Sequence, residues 1–158
     1  DIAEVARETV RLCAWEAQSC QVAIELRLAD NLPPVYADRV LLEQVLLNLL
    51  RNAIEANRDR HPGTASQIRL EAGEGSGSLA IRVIDQGPGV SDEQMGKLFT
   101  PFYTSKADGL GLGLSMSRSI IEGFGGALEA FPAEGGGLCL ECRLPLGRDD
   151  DSLSSCRG

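Results

Sequence analysis

Residues 39–57 constrain this chain more than any other stretch. At about 100° per residue, Gln44, Asn48, Asn52 and Glu55 project within one narrow wedge. Nearly all the rest of the circumference is Leu, Val, Ile or Ala. Such a helix must be largely buried. A buried amide without a partner costs about 1–3 kcal/mol. Two Asn at i and i+4 therefore want either a polar guest or an internal ladder of hydrogen bonds. A carboxamide oxygen is a hard, neutral donor, suited to a Mg²⁺ ion that also holds phosphate oxygens.

The flanking patterns supply the rest of a small domain. Residues 2–19 read as an amphipathic helix, with Ile2, Val5, Ala6, Val10, Leu12, Cys13 and Ala17 mostly on one side. Residues 22–28 alternate as a strand, 31–34 connect, and 35–37 suit a short strand before Asp38, which is placed to cap the long helix. Strands are predicted over 67–72 and 79–85, joined by a Gly-rich hairpin connection at 73–77. Ser91 should cap a short helix through Leu98. A second strong helix is predicted over 111–124, then strands over 127–131 and 138–144 around a triple-glycine turn. Hairpins need antiparallel neighbours. The expected fold is thus α+β: one mixed sheet with helices on one face, a two-layer sandwich.

Three further segments carry chemical signals. A strand ends at Asp85, and glycines follow at Gly87 and Gly89. A carboxylate there accepts a hydrogen bond from an exocyclic amine such as that of adenine, or it forms an ordinary Asp-Gly turn. In 97–106, Phe99 and Phe102 would anchor a mobile segment, from which Lys106 could reach a phosphate. The alternative is a surface loop pinned by two aromatics. Gly109, Gly111 and Gly113 alternate with Leu110 and Leu112 at the start of a helix. Backbone N–H groups exposed there favour phosphate, and a flexible hinge is the alternative. The spacing matches neither a dinucleotide-binding fingerprint nor a Walker A loop. Together the four segments supply a metal-ligand helix, a base pocket, a lid and a phosphate cradle.

Composition narrows the partners. The 158 residues carry 15 Lys and Arg against 23 Asp and Glu, a net charge of −8. That argues against nucleic acid, whose binding relies on clustered positive charge. Apolar runs are too short to span a membrane, so no membrane contact by this piece is expected. The acidic opening does not resemble a secretory signal, and an abrupt start without Met suggests a fragment of a longer protein. Five Cys, at 13, 20, 139, 142 and 156, form no disulfide framework and point to a reducing compartment. Cys139 and Cys142 fall on opposite faces of a strand, as small apolar side chains rather than metal ligands.

These residues resemble the ATP-binding catalytic domain of sensor histidine kinases, within the wider gyrase–Hsp90–histidine kinase–MutL group. Residues 48–53 look like the N box and 85–89 like the G1 box. Residues 99–102 look like the F box and 109–113 like the G2 box. The resemblance covers about residues 20–146, with the boxes in the family's order.

It implies a Bergerat-type sandwich over residues 20–147. A helix over 1–19 would join it to an upstream helical domain, and 148–158 would be a flexible polar tail. Asn52 would coordinate Mg²⁺, with Asn48 close to the metal and phosphates. Asp85 would hold the adenine amine, Gly87 and Gly89 would shape the base pocket, and residues 109–113 with Lys106 would contact phosphates. Residues 100–109 would close as a lid. The γ-phosphoryl group of ATP would pass to a His on a separate dimerisation domain, then to a response regulator, in the cytoplasm. Two departures stand out. Glu55 occupies a position where many relatives carry Lys or Arg, leaving Lys106 or Arg51 to supply the charge. The one His, His61, lies in a loop that lacks the phosphoacceptor pattern and reads as solvated. Rival readings are an ATPase of the same fold, an anti-sigma-factor-type Ser kinase, or a scaffold that binds no nucleotide.

Overall fold

The computed structural model describes residues 1–75, 77–100 and 113–147. In chain order the elements are α1 (Ile2–Ser19), β1 (Val22–Leu28), α2 (Arg39–Arg60), β2 (Ser66–Gly75) and β3 (Ser78–Ile84). Then come α3 (Asp92–Met95), α4 (Gly113–Gly123), β4 (Ala127–Pro132) and β5 (Leu138–Pro145).

Helix α2 begins where Asp38 Oδ1 accepts the Leu41 N–H at 3.0 Å. Its apolar faces bury Leu42, Val45, Leu46, Leu49, Leu50, Ala53 and Ile54. The polar wedge lies at the margin of that core, with Gln44 exposed and Asn48, Asn52 and Glu55 half-buried. The helix continues past the predicted end at Asn57 to Arg60, with His61 as its cap. Helix α1, capped by Asp1, packs on α2 through Ile2, Val5, Ala6, Cys13 and Ala17.

The sheet order is β1-β2-β3-β5-β4, with β1 parallel to β2 and all other pairs antiparallel. This is the expected mixed sheet. The β2–β3 hairpin is longer than predicted, because Gly73 pairs with Ala80, Glu74 with Leu79 and Gly75 with Ser78. Cross-strand hydrogen bonds thus carry the ladder through glycines whose own strand preference is poor. The strand expected at 35–37 is a single bridge between Val35 and Leu146. The short helix after Ser91 stops at Met95, held by a capping box between Ser91 and Gln94.

Strand positions alternate between two environments. Ile68, Leu70, Leu79, Ile81, Val83, Leu140, Cys142 and Leu144 join α1, α2 and α4 in one core. The intervening positions carry Glu25, Arg27, Arg69, Glu71, Arg82, Glu129, Glu141 and Arg143. These eight side chains form an unbroken ladder of ion pairs from β1 to β4. Opposite charges on neighbouring strands satisfy each other on a face that, among the described residues, no helix covers. Cys139 and Cys142 point to the two sides, as their spacing predicts, with Cys142 fully buried. Among the described residues, no helix is long and apolar enough to cross a membrane.

Candidate nucleotide-binding site

Strand β3 delivers Asp85 to the edge of the core, where it is 7% exposed. Its backbone N–H still reaches Leu138 O at 3.0 Å, so β5 continues to hold it. Its Oδ1 accepts the N–H of Gly87 at 2.9 Å and of Leu138 at 3.0 Å. A carboxylate that accepts backbone N–H groups is stabilised in its charged form and fixed in orientation. The Asp85 carboxylate thus pins the turn that follows β3 and ties it to the start of β5.

Gly87 lies directly against α2. A Cβ added there would come within 2.6 Å of the Ala56 Cβ. Only a hydrogen at this position lets the segment after β3 press on the helix. Gly89 has φ +73° and faces Gly136 O, which a Cβ would meet at 2.3 Å.

The other end of the polar wedge meets α4. Asn48 Nδ2 donates to the buried Ser117 Oγ at 3.1 Å. A Cβ on Gly113 would come within 2.7 Å of Asn48 Oδ1. Asn48 thus touches the first turn of α4, and Ala56, two turns along the same helix, touches Gly87. Asp85, Gly87, Asn48 and Gly113 are thereby gathered along one side of α2. Asn52 and Glu55 lie between those contacts in sequence and have polar partners. Phe99 packs against the core, and the Arg118 guanidinium stacks 4.9 Å from its ring centroid. Phe102, Lys106, Gly109, Leu110, Gly111 and Leu112 lie outside the described residues. Helix α4 is described only from Gly113.

Two expectations need correction. The step of about 100° per residue puts Arg51 at the margin of the wedge, beside Gln44 and Glu55, and there its Nε is engaged by Glu16 Oε1 on α1 at 3.0 Å. His61 is half-buried and its Nε2 contacts Gln86 O at 2.9 Å. A carbonyl only accepts, so Nε2 carries the proton in this contact.

Asn57 is the residue that sequence reasoning missed. It is fully buried. Its Nδ2 donates to Ser66 Oγ and Gln67 O, both at 3.0 Å, and its Oδ1 accepts the Gln86 N–H at 2.8 Å. Gln86 Oε1 in turn accepts the Gln67 N–H at 2.8 Å. All the polar atoms of a buried amide are satisfied, avoiding a penalty of about 1–3 kcal/mol. One signal was available: Asn57 continues the Asn48 and Asn52 series as a third Asn on the same helix, but rotated out of the wedge.

The residues suit a Mg²⁺–nucleotide rather than a free metal. Among the described residues, no group of three His, Cys, Asp or Glu is arranged to hold a metal ion. Neutral carboxamides suit an ion whose remaining ligands are phosphate oxygens and water.

Comparison with known proteins agrees with this geometry. A family described as histidine kinase-, DNA gyrase B- and HSP90-like ATPase matches residues 37–148. The C4-dicarboxylate transport sensor protein DctS of Rhodobacter capsulatus is 37% identical over 146 residues, 92% of this chain and 22% of that protein. DctB of Rhizobium meliloti is 48% identical over 107 residues, 68% of this chain and 17% of that protein. The nucleotide-free catalytic domain of histidine kinase ThkA superposes with a TM-score of 0.82 at 31% identity. That match covers 92% of this chain and 93% of the domain. Full-length ShkA in complex with AMPPNP gives a TM-score of 0.80 at 28% identity, covering 93% of this chain and 30% of ShkA. The chain belongs to the histidine kinase-, DNA gyrase B- and HSP90-like ATPase family, as an ATP-binding domain of the sensor histidine kinase type. It spans roughly a fifth of the length of DctS and DctB.

Proposed function

We propose that this domain binds Mg²⁺-ATP and donates the γ-phosphoryl group to a His on a separate dimerisation domain of the same sensor kinase. A response regulator then receives the phosphoryl group. The observation that carries the proposal is the double contact of α2, with Gly113 and Ser117 at Asn48 and with Gly87 beside Asp85 at Ala56. ThkA, whose catalytic domain this chain resembles, has been seen in complex with the response regulator TrrA.

In this proposal Asp85 accepts the adenine amine while two backbone N–H groups hold its other lone pairs. Gly87 and Gly89 form the floor of the base pocket. Asn52 holds the metal, Asn48 lies near it, and residues 109–113 with Lys106 meet the phosphates. Bound Mg²⁺ would supply charge neutralisation on the phosphate oxygens. Phosphoryl transfer depends mainly on positioning and charge, and little on covalent chemistry by the protein. The base that assists the incoming imidazole would lie beside it, on the partner domain. The isolated chain should therefore bind ATP with slow turnover. Residues 20–147 form the catalytic unit, 1–19 lead toward the dimerisation domain, and the reaction takes place in the cytoplasm.

An ATPase of the same fold would place a Glu where Asn48 stands, to activate water. An amide cannot act as that base, so transfer to an imidazole is favoured. Calorimetric titration with Mg²⁺-ATP tests the assignment. Asp85→Asn and Asn52→Ala should each abolish tight binding, a loss of about tenfold or more for an interaction with a charged group. Unchanged affinity in both variants refutes it. Adding the separately produced dimerisation domain and labelled ATP should then yield acid-labile phosphohistidine on that partner.

A further inference from the structure

We infer that Asn57 is a positioning residue for base recognition, acting on Asp85 through Gln86. The inference rests on the reading of Asp85 as the adenine partner and assigns a residue that lies outside the four boxes.

Gln86 connects Asp85 to Gly87, and it is tied at three of its four polar groups. Its N–H donates to Asn57 Oδ1, its C=O receives His61 Nε2, and its side-chain Oε1 accepts the Gln67 N–H. Asn57 closes the circuit by donating to Gln67 O. Three residues from α2, β2 and the segment after β3 thus form a closed ring of hydrogen bonds. Its directions are unambiguous. The Gln67 carbonyl can only accept and the Gln86 N–H can only donate, so the Asn57 amide has one allowed orientation.

The Asn57 amide, fully buried, is the rigid member of this ring, whereas Gln67 and Gln86 are exposed. The position of the Gln86 nitrogen is therefore set from inside the core. The next N–H along, that of Gly87, is one of the two that fix Asp85 Oδ1, the other being that of Leu138. Displacing the Gln86 backbone moves the Gly87 N–H and leaves the carboxylate held by Leu138 alone. A displacement of tenths of an ångström matters because a hydrogen bond weakens steeply with angle.

Amide exchange followed by NMR on the nucleotide-free chain tests the coupling directly. Asn57→Leu should speed exchange at Gln86 and also at Gly87, each by about tenfold, the equivalent of one lost hydrogen bond. Asn57→Asp keeps the acceptor for Gln86 and should leave Gly87 protected. Protection of Gly87 that survives Asn57→Leu, or that is lost in Asn57→Asp, overturns the proposal. If Asn57→Leu does not fold, Asn57→Ser, too short to accept the Gln86 N–H, takes its place, and Gly87 protection that survives it overturns the proposal.

Calorimetry with ATP and GTP supplies the functional arm. Asn57→Leu should reduce the preference for ATP by about tenfold, and Asn57→Asp should restore it. Leu128→Ala, a core truncation on β4 away from the ring, should lower stability and leave the preference unchanged. An equal loss of preference in Leu128→Ala overturns the proposal. Faster Gly87 exchange with unaltered base preference would instead refute the adenine role of Asp85 and leave the positioning intact.

Discussion

Gly87 shows how much one hydrogen atom decides here. A methyl group there would meet Ala56 at 2.6 Å, so Gly87→Ala must push α2 away from the segment that carries Asp85. Overpacking of this kind costs about 1–3 kcal/mol. We expect a lower thermal midpoint together with weaker ATP binding, measured by calorimetry on the same sample. A drop in midpoint with no change in affinity would separate the helix contact from the base pocket. The glycines at 87 and 113 were conspicuous in the sequence because each sits in a short glycine-rich phrase. Asn57 and His61 were not, because both act on Gln86, which lies 29 and 25 residues away. Local periodicity places a side chain around its own helix and says nothing about a hydrogen bond to a distant backbone.

At the level of elements, α2 is the member on which the others are assembled. Leu49 is fully buried between the sheet and the neighbouring helices, so Leu49→Ala should cost about 2–5 kcal/mol in chemical denaturation. Asp38→Ala removes the cap on Leu41 and should cost about 1 kcal/mol. The smaller effect belongs to an exposed helix end and the larger to a closed core. If the two variants were equally damaging, α2 would not be the packing centre. Helix and strand identities were legible because apolar residues recur at 3.6 or 2 positions. Boundaries were less so. The β2–β3 hairpin runs through Gly73 and Gly75 because its partner strand supplies the hydrogen bonds. The helix outlasts Asn57 because the buried amide keeps its last turn anchored to β2.

Across the whole molecule, two charge patterns lead to measurable behaviour. Glu141 lies deep in the ladder, accepting from Arg82 at 2.6 Å and from Arg143 at 3.1 Å, and its carboxylate holds the Arg82 pKa above its ordinary value. Glu141→Ala should destabilise the domain by about 1–2 kcal/mol, discounted because both guanidinium groups are half exposed to solvent. The loss should shrink as salt is added. The second pattern concerns the thiols. Burial raises the pKa of Cys13 and Cys139 to about 11 and that of Cys142 to about 12. The folded chain therefore holds these protons more tightly than the unfolded chain, whose thiols ionise near their ordinary value of 9.0. Their contribution is complete below that value and is lost progressively as pH rises toward 11–12. Urea midpoints should fall over this range, and Cys13→Ala should flatten the fall. A midpoint that rose with pH there would contradict the assignment of sign.

What the sequence determined by itself was everything carried by short-range repetition: the order of helices and strands, the amide wedge on α2, the motif phrases and the family they belong to. Backbone periodicity and the steric demands of glycine write these into neighbouring residues. What only the tertiary structure decided was which distant groups meet. The insertion of β5 between β3 and β4, the turn of Arg51 toward Glu16, the ladder across five strands and the ring around Asn57 all depend on strand register and helix packing. Those are set by the burial of the whole core at once, and no single stretch of chain encodes them.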